Sequence, residues 1–462
     1  MKTKDTEINF KLIAWGGAST VTGANFELRT PHSRILVDCG LIQGTPDMEV
    51  LNRDIFSYNP KDFQALLVTH SHMDHIGRIP KLVKEGFNAP IYSTPETKAI
   101  VEVVLHDACN LEFEKAKEEN REPMYTREHL NKAISLWQTF LYHQETIITD
   151  DISVFAYDAG HILGSATLWV SLKSSSQNKS ILMSGDLGNS PSLLLKDTEI
   201  PPGPDYVLIE SVYGDRNHEG AEEREANFRG AIKERIDMGG TVLIPAFSLE
   251  RTQVILALLN NMFDQGLLPK VPIFLDSPLA IQITAIYERM SALFNDEARD
   301  AMKEKDGLFK FKTLEQTARK EDSRAIAGVY GPKIIIAGSG MSSGGRVVSH
   351  EKRYLPEENT SLLLMGYQAP GTLGRLLEEG AKIVRIDRED VHVRAKVISI
   401  HGFSGHKDSD HLVDFVNQLT PAPKKVFVAM GEARASNFLA QRIHDNLNLE
   451  TQVVNLKQEY IL

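Results

Sequence analysis

The stretch Thr69-His70-Ser71-His72-Met73-Asp74-His75-Ile76-Gly77, which follows the apolar run Ala65-Leu66-Leu67-Val68, leaves this chain few folds to choose from. A short apolar run of this kind reads as a buried strand, and the candidate ligands His70, His72, Asp74 and His75 come directly after it. His70 and His72 have the i, i+2 spacing that lets two imidazoles leaving a strand end point the same way. Asp74 and His75 fall where a helix over Ile79 to Glu85 is expected to start, close enough to serve a second ion. So tight a cluster marks a metal site at the end of a strand rather than a solvated loop.

Later stretches supply further ligands. Ile152 to Tyr157 is strand-like and leads into Asp158-Ala159-Gly160-His161-Ile162-Leu163-Gly164-Ser165, and the strand Ser180 to Met183 ends in Ser184-Gly185-Asp186-Leu187-Gly188. His161 and Asp186 thus each stand just past a strand with glycines alongside, which permits close backbone approach to a metal. Upstream, Phe10 to Trp15 reads as a first strand, Gly16 to Gly23 as a Gly-rich turn, and Asn25 to Arg29 with Arg34 to Asp38 as a strand pair. Asp38 fits either a carboxylate that orients a metal-bound histidine or water, or the cap of a turn. Pro95 to about Glu118 reads as an amphipathic helix with Val101, Val104, Leu105 and Ala108 inside, and the charge run Lys115 to Arg121 as its solvated end.

From Gly240 to Lys382, strands such as Val242 to Pro245, Pro272 to Leu275, Lys333 to Ala337 and Ser361 to Leu364 alternate with helical patterns, as in a doubly wound α/β unit. The loop Gly338-Ser339-Gly340-Met341-Ser342-Ser343-Gly344-Gly345-Arg346 falls between a strand and a helix, so its amides could cradle a phosphate. It lacks the Lys-Ser/Thr of a P-loop, which argues against nucleotide hydrolysis.

A length of 462 residues suggests two domains. The net charge of −11 argues against polyanion binding over the whole surface and leaves room for a local basic cleft. Cys39 and Cys109 make neither a disulfide framework nor a CxxC ligand pair, which suits a reducing, cytoplasmic compartment. No apolar run approaches the ~20 residues of a membrane span, and Met1 to Thr6 lacks the apolar core of a signal peptide.

With the motifs through His70, His72, Asp74, His75, His161 and Asp186, the chain resembles the metallo-β-lactamase fold. Further stretches resemble its beta-CASP branch of nucleic-acid nucleases: Tyr206 to Gly214, Gly239 to Ser248, Asp276 to Ala280, Gly366 to Arg375, and Gly402 to Asp408. The likeness is greatest to prokaryotic relatives of the endonuclease subunit that cleaves pre-mRNA 3′ ends, without the N-terminal KH domains or long extra C-terminal domain of other branches. It implies an α/β protein. A metallo-β-lactamase αββα sandwich is formed by residues 1–207 and 385–462, and a beta-CASP α/β domain, residues 208–384, is inserted.

The resemblance also implies a zinc-dependent ribonuclease with two ions. One zinc would be held by His70, His72 and His161, a second by Asp74 and His75, with Asp186 bridging and a metal-bound hydroxide as nucleophile. Glu210 and His406 match the family's acid couple for the leaving oxygen. Ser277 matches a phosphate contact, and Ser339, Met341 and Ser342 lie in the candidate phosphate loop. RNA is expected in the cleft between the domains, where Arg346 and Lys407 flank the candidate phosphate loop and His406, with a homodimer left open and no membrane partner. One position departs from the pattern: Met430 stands where the family's last histidine ligand would be, and a thioether is a poor zinc ligand. The second site is therefore expected to be weakened. Two alternatives follow, an RNA-binding subunit with weakened catalysis and a small-molecule hydrolase on the same fold; the second leaves the inserted domain unexplained.

Overall fold

Alternate side chains of the strands Asn178–Met183, Tyr206–Ile209 and Lys425–Val428 serve two different cores. Ile181, Met183, Leu208 and Phe427 point into one apolar cluster; Leu182, Val207, Ile209, Val426 and Val428 point into another. The period of two in a strand dictates this division, and only a sheet covered on both faces can use it. The computed structural model describes residues 10–462 apart from 45, 305, 306, 367 and 370. Met1 to Thr6, and Tyr367 and Pro370 of the motif Gly366 to Arg375, lie outside the described residues.

The chain divides into two compact units, one comprising Met1–Ser192, Asp197–Asn217 and His406–Leu462, the other Leu193–Lys196 and His218–Gly405. The first holds two seven-stranded sheets. In spatial order one runs Glu459–Ile461, Lys11–Gly16, Asn25–Arg29, Arg34–Val37, Ala65–Leu67, Ile91–Ser93 and Trp137–Thr139. The other runs Glu450–Val453, Lys425–Val428, Tyr206–Ile209, Asn178–Met183, Ala166–Lys173, Ile152–Asp158 and Thr146–Thr149. Leu12, Leu28, Ile35 and Leu67 of the first sheet meet Val154, Leu168, Ile181 and Phe427 of the second in one core. Helices Ser409–Gln418 and Ala433–Leu447 cover the far face of the second through Leu412, Phe415, Leu439 and Ile443. These layers form the αββα sandwich.

The second unit carries a six-stranded parallel sheet in the order Leu314–Gln316, Ile273–Asp276, Lys333–Ala337, Thr241–Pro245, Thr360–Leu364 and Lys396–Ser399. Its central strands are buried on both faces, as helices on each side require. The units change over at 217/218 and 405/406, later than 207/208 and 384/385. The reason is strand pairing: Tyr206–Ile209 pairs with Asn178–Met183 and Lys425–Val428 in the first unit, and Lys396–Ser399 pairs with Thr360–Leu364 in the second.

Two local expectations change. Asp74 and His75 do not open the helix Ile79–Lys84; they occupy a separate one-turn helix, Met73–Ile76. The Asp74 and His75 carbonyls accept from Ala24 N–H at 2.9 Å and Cys39 N–H at 2.7 Å, so they are not available to continue a helical ladder. In Pro95–Glu118 the buried stripe runs through Ile100, Val101, Val104, Leu105 and Cys109, and Ala108 is only half-buried.

A buried carboxylate shows what one strand pair depends on. Glu27 accepts from Trp15 Nε1 at 2.9 Å, Arg29 Nε at 2.7 Å and Arg34 Nε at 2.8 Å. Burial raises its pKa, but these donors outweigh burial and hold it below the ordinary value. A depressed folded pKa stabilises above the unfolded value, and that contribution is lost as pH falls through the folded value. Glu27→Gln is therefore expected to cost about 1–3 kcal/mol at neutral pH and to flatten the acid limb of a pH series of denaturant midpoints. Parallel parent and variant curves would contradict it.

Candidate metal centre

Five of the candidate side chains follow the end of a strand of the first unit, while Asp74 and His75 stand in the one-turn helix Met73–Ile76. His70 and His72 follow Ala65–Leu67, His161 follows Ile152–Asp158, Asp186 follows Asn178–Met183 and Glu210 follows Tyr206–Ile209. Close packing of the connecting loops brings them together. A Cβ on Gly188 would lie 1.9 Å from the Gly160 carbonyl oxygen, and one on Gly40 would lie 1.4 Å from that of Asp74. Only glycine fits at either place. Ser165 Oγ accepts from His161 N–H at 3.1 Å and Ile162 N–H at 3.2 Å, fixing the loop that carries His161.

Three overlapping donor groups result: His70, His72, His161 and Asp186; Asp74, His75 and Asp186; and Asp186, Glu210 and His406. In the first, His72 Nδ1 stands 3.1 Å from His70 Nε2 and 3.2 Å from His161 Nε2. Asp186 Oδ2 stands 3.4 Å from His70 Nε2 and 3.6 Å from His161 Nε2. Ligands ~2.0–2.1 Å from a tetrahedral ion lie roughly 3.3 Å from one another, so this donor set fits one. Burial holds the His72 pKa well below the usual value, with His70 and His161 adding to the effect. That favours the neutral imidazole, the form that binds metal.

In the second group, His75 Nε2 is 3.3 Å from Asp186 Oδ1 and 3.9 Å from Asp74 Oδ2. Both His75 Nε2 and Asp186 Oδ1 are buried without a hydrogen bond, an arrangement that is costly unless a further group occupies the space between them. Burial opposes charge on His75, but Asp186, Asp38 and Asp74 outweigh it and raise the imidazole pKa well above the usual value. A cation would displace that proton. Asp186 presents Oδ2 to one group and Oδ1 to the other, the disposition of a bridging carboxylate.

Asp38 orients both groups. Its Oδ1 accepts from Thr69 N–H at 2.8 Å, and its Oδ2 accepts from the Thr69 hydroxyl at 2.9 Å and lies 2.8 Å from His75 Nδ1. The Thr69 hydroxyl in turn lies 3.0 Å from His70 Nδ1. With both Nδ1 atoms engaged, both Nε2 atoms are left to face an ion. Behind this, Asn25 Nδ2 donates to the Asp38 carbonyl at 2.7 Å, and the Tyr58 hydroxyl donates to Asn25 Oδ1 at 2.9 Å. Thr69, Asn25 and Tyr58 belong to no expected ligand set. Thr69 could have been found from its place directly before His70; nothing in the sequence singles out the other two.

Glu210 and His406 meet as a pair. His406 Nδ1 is 3.2 Å from each Glu210 oxygen, and Glu210 Oε1 accepts from Leu187 N–H at 2.6 Å. Burial disfavours the imidazolium, but Glu210 and Asp186 raise the His406 pKa to about 9.

Met430 is 4 % exposed and belongs to the apolar core. A Cβ on Gly17 would lie 2.5 Å from its Sδ, so the thioether packs over that glycine. Of the two cations expected to meet RNA, Arg346 is committed elsewhere and Lys407 is buried. Arg346 Nη1 donates to Asp276 Oδ1 at 2.5 Å and to the Thr317 carbonyl at 2.6 Å. Lys407 is buried, which lowers its pKa.

In the second unit, Ser277 Oγ accepts from Ala280 N–H at 3.2 Å, capping the helix Pro278–Arg289, and lies 3.2 Å from Ser248 Oγ. Ser339 Oγ accepts from Ser343 N–H at 3.1 Å. The Met341 carbonyl accepts from Gly374 N–H at 3.1 Å, and the Ser342 hydroxyl donates to the buried Glu351 carboxylate. The glycine-rich loop is thus internally braced.

Comparison with known families agrees with this architecture. Residues 28–189 match a metallo-beta-lactamase superfamily domain, residues 252–377 a Beta-Casp domain, and residues 390–454 a Zn-dependent metallo-hydrolase RNA specificity domain. The chain is 35 % identical to Ribonuclease TTHA0252 of Thermus thermophilus over 406 residues, 88 % of this chain and 90 % of that one. It is 34 % identical to an RNase J-like protein of Methanocaldococcus jannaschii, covering 95 % and 96 % of the two chains. It is 30 % identical to the transcription termination factor FttA of Methanosarcina mazei, covering 96 % of this chain and 70 % of that protein.

Proposed function

Because the chain belongs to the beta-CASP branch of the metallo-β-lactamase superfamily, we propose that it is a zinc-dependent ribonuclease that hydrolyses RNA phosphodiester bonds. The observation that carries the reading is the pair of buried, unbonded atoms His75 Nε2 and Asp186 Oδ1, set beside a tetrahedral donor set of three imidazoles and the same carboxylate. His70, His72 and His161 would hold one ion, Asp74 and His75 a second, and Asp186 both. Ions held there supply Lewis acidity toward a phosphodiester and toward water.

The protein's own groups then have defined tasks. Asp38 keeps His75, and through Thr69 also His70, in the tautomer that presents Nε2. Glu210 holds His406 through Nδ1, so the protonated ring has Nε2–H to hand to the leaving 3′ oxygen. Two cysteines that are both buried and unpaired suit a cytoplasmic setting. Among the described residues no helix is long and apolar enough to cross a membrane.

The test combines elemental analysis of protein purified without added metal with cleavage of labelled RNA carrying either a 5′-phosphate or a blocked 5′ end. At least about one equivalent of zinc, held by His70, His72 and His161, and mapped product ends are expected. Less than half an equivalent, or intact RNA in the presence of zinc, would overturn the reading. One observation favours a variant of it: Met430 packs in the apolar core, leaving the second ion with Asp74, His75 and Asp186. One equivalent of zinc with RNA binding but negligible cleavage would identify an RNA-binding subunit instead.

A further inference from the structure

The sheet of the second unit has a topological switch point that the ribonuclease reading has not used. From Thr241–Pro245 the chain crosses by the helix Arg251–Asp264 to Ile273–Asp276, on the far side of Lys333–Ala337. From Lys333–Ala337 it crosses by the helix Arg346–Tyr354 to Thr360–Leu364, on the opposite side. The two central, adjacent and parallel strands therefore send their connections in opposite directions. In open α/β sheets the crevice beyond the carboxyl ends of such a pair is where ligands bind.

Phe247 stands at that place, two residues past Pro245. It is 39 % exposed, although it follows five buried strand residues and a buried alanine. Single exposed apolar side chains are common and need no explanation, but this one is built into its surroundings. A Cβ on Gly340 would lie 2.5–2.8 Å from Cγ, Cδ2 and Cε2 of the Phe247 ring, so the ring rests on a backbone that only glycine can supply. The Phe247 carbonyl accepts from Thr252 N–H at 3.2 Å and from the Thr252 hydroxyl at 2.7 Å, and the Ser248 carbonyl accepts from Gln253 Nε2 at 3.2 Å. Beside the ring, the hydroxyls of Ser248 and Ser277 lie 3.2 Å apart, and a Cβ on Gly338 would be 3.5 Å from each.

We propose that Phe247 is a stacking platform for one nucleobase of single-stranded RNA. The inference rests on the ribonuclease reading above and adds the residue that grips a base. An aromatic ring fixed in advance, with part of its surface open, accepts any base because every base has a π-face, and no ordering of the ring is required on binding. The adjacent hydroxyl pair offers donors for the phosphate of the same nucleotide.

The test uses the zinc-loaded full chain and short single-stranded RNAs carrying 2-aminopurine at successive positions, mixed by stopped flow so that binding is read before cleavage. Stacking on an aromatic ring quenches 2-aminopurine. The parent should quench it at one position, and Phe247→Ala should abolish that quench and raise Kd roughly 5- to 150-fold. Phe247→Leu, which keeps apolar bulk without a π-face, should behave like Phe247→Ala, while Phe247→Trp should restore quench and affinity. Thermal unfolding of each variant monitors the fold. If the parent binds RNA and Phe247→Ala stays within twofold in Kd with the quench intact, the stacking role is wrong and the ribonuclease reading stands. If the parent itself binds no RNA, both fall.

Discussion

Asp186→Asn should reduce RNA cleavage by at least ~100-fold, since changes one layer further from a metal already act on the scale of 10- to 100-fold, while the protein stays folded. Asp186 is the one residue common to all three donor groups. Its carboxylate lies 3.3 Å from His75 Nε2, 3.4 Å from His70 Nε2, 3.6 Å from His161 Nε2 and 3.9 Å from His406 Nδ1. Burial raises its pKa, but the surrounding imidazoles, His75 foremost, outweigh burial and hold it well below the usual carboxylate range. The amide keeps the shape and removes the charge that would hold two dications together. Cleavage of labelled RNA and zinc content are the measurements. Near-parental activity with the amide would exclude a shared carboxylate.

The second large effect is expected one layer back. In Asp38→Asn, Oδ1 can still accept from Thr69 N–H, but Nδ2 replaces the oxygen that faces the Thr69 hydroxyl and His75 Nδ1. An NH₂ group donates only. His75 would have to accept at Nδ1 and carry its proton on Nε2, the atom aimed at the metal. Zinc affinity should fall about 10- to 100-fold, with cleavage falling in step at limiting metal. Chelator competition gives the affinity, and ¹⁵N chemical shifts of the His75 ring give the tautomer. Unchanged affinity, or an Nε2 still unprotonated in the variant, would mean that Asp38 only caps its turn.

The donors of this centre were legible because local rules govern them. A strand that ends in a candidate ligand, with glycine where loops must touch, leaves a record within a few residues, as at His70, His161 and Asp186. Elements decided by distant partners leave none. The one-turn helix at Asp74 exists because Ala24 and Cys39 take its carbonyls, and those partners are some 36–50 residues upstream. Arg346 reads as a free cation beside a glycine loop, yet the buried Asp276, 70 residues away in sequence, claims it. The helix Arg127–Ser135, whose first turn is fixed by the Thr126 capping box, follows the charge run and is hidden by the same polar composition. Asn25 and Tyr58 form a hydrogen-bonded chain to Asp38 that only the folded chain brings together.

The metal-bearing unit draws on both ends of the chain. Lys11–Gly16 pairs with Glu459–Ile461, and Tyr206–Ile209 with Lys425–Val428, while residues 218–405 belong to the other unit. On a ribosome adding ~5–20 residues per second, the histidines near residue 70 have emerged long before His406, and residues 218–405 alone take roughly 10–40 s to synthesise. During that interval the growing polypeptide has the candidate ligands near residue 70 but neither His406 nor the strands that close its sheets. Completion of this unit therefore waits on the last part of the chain to be synthesised.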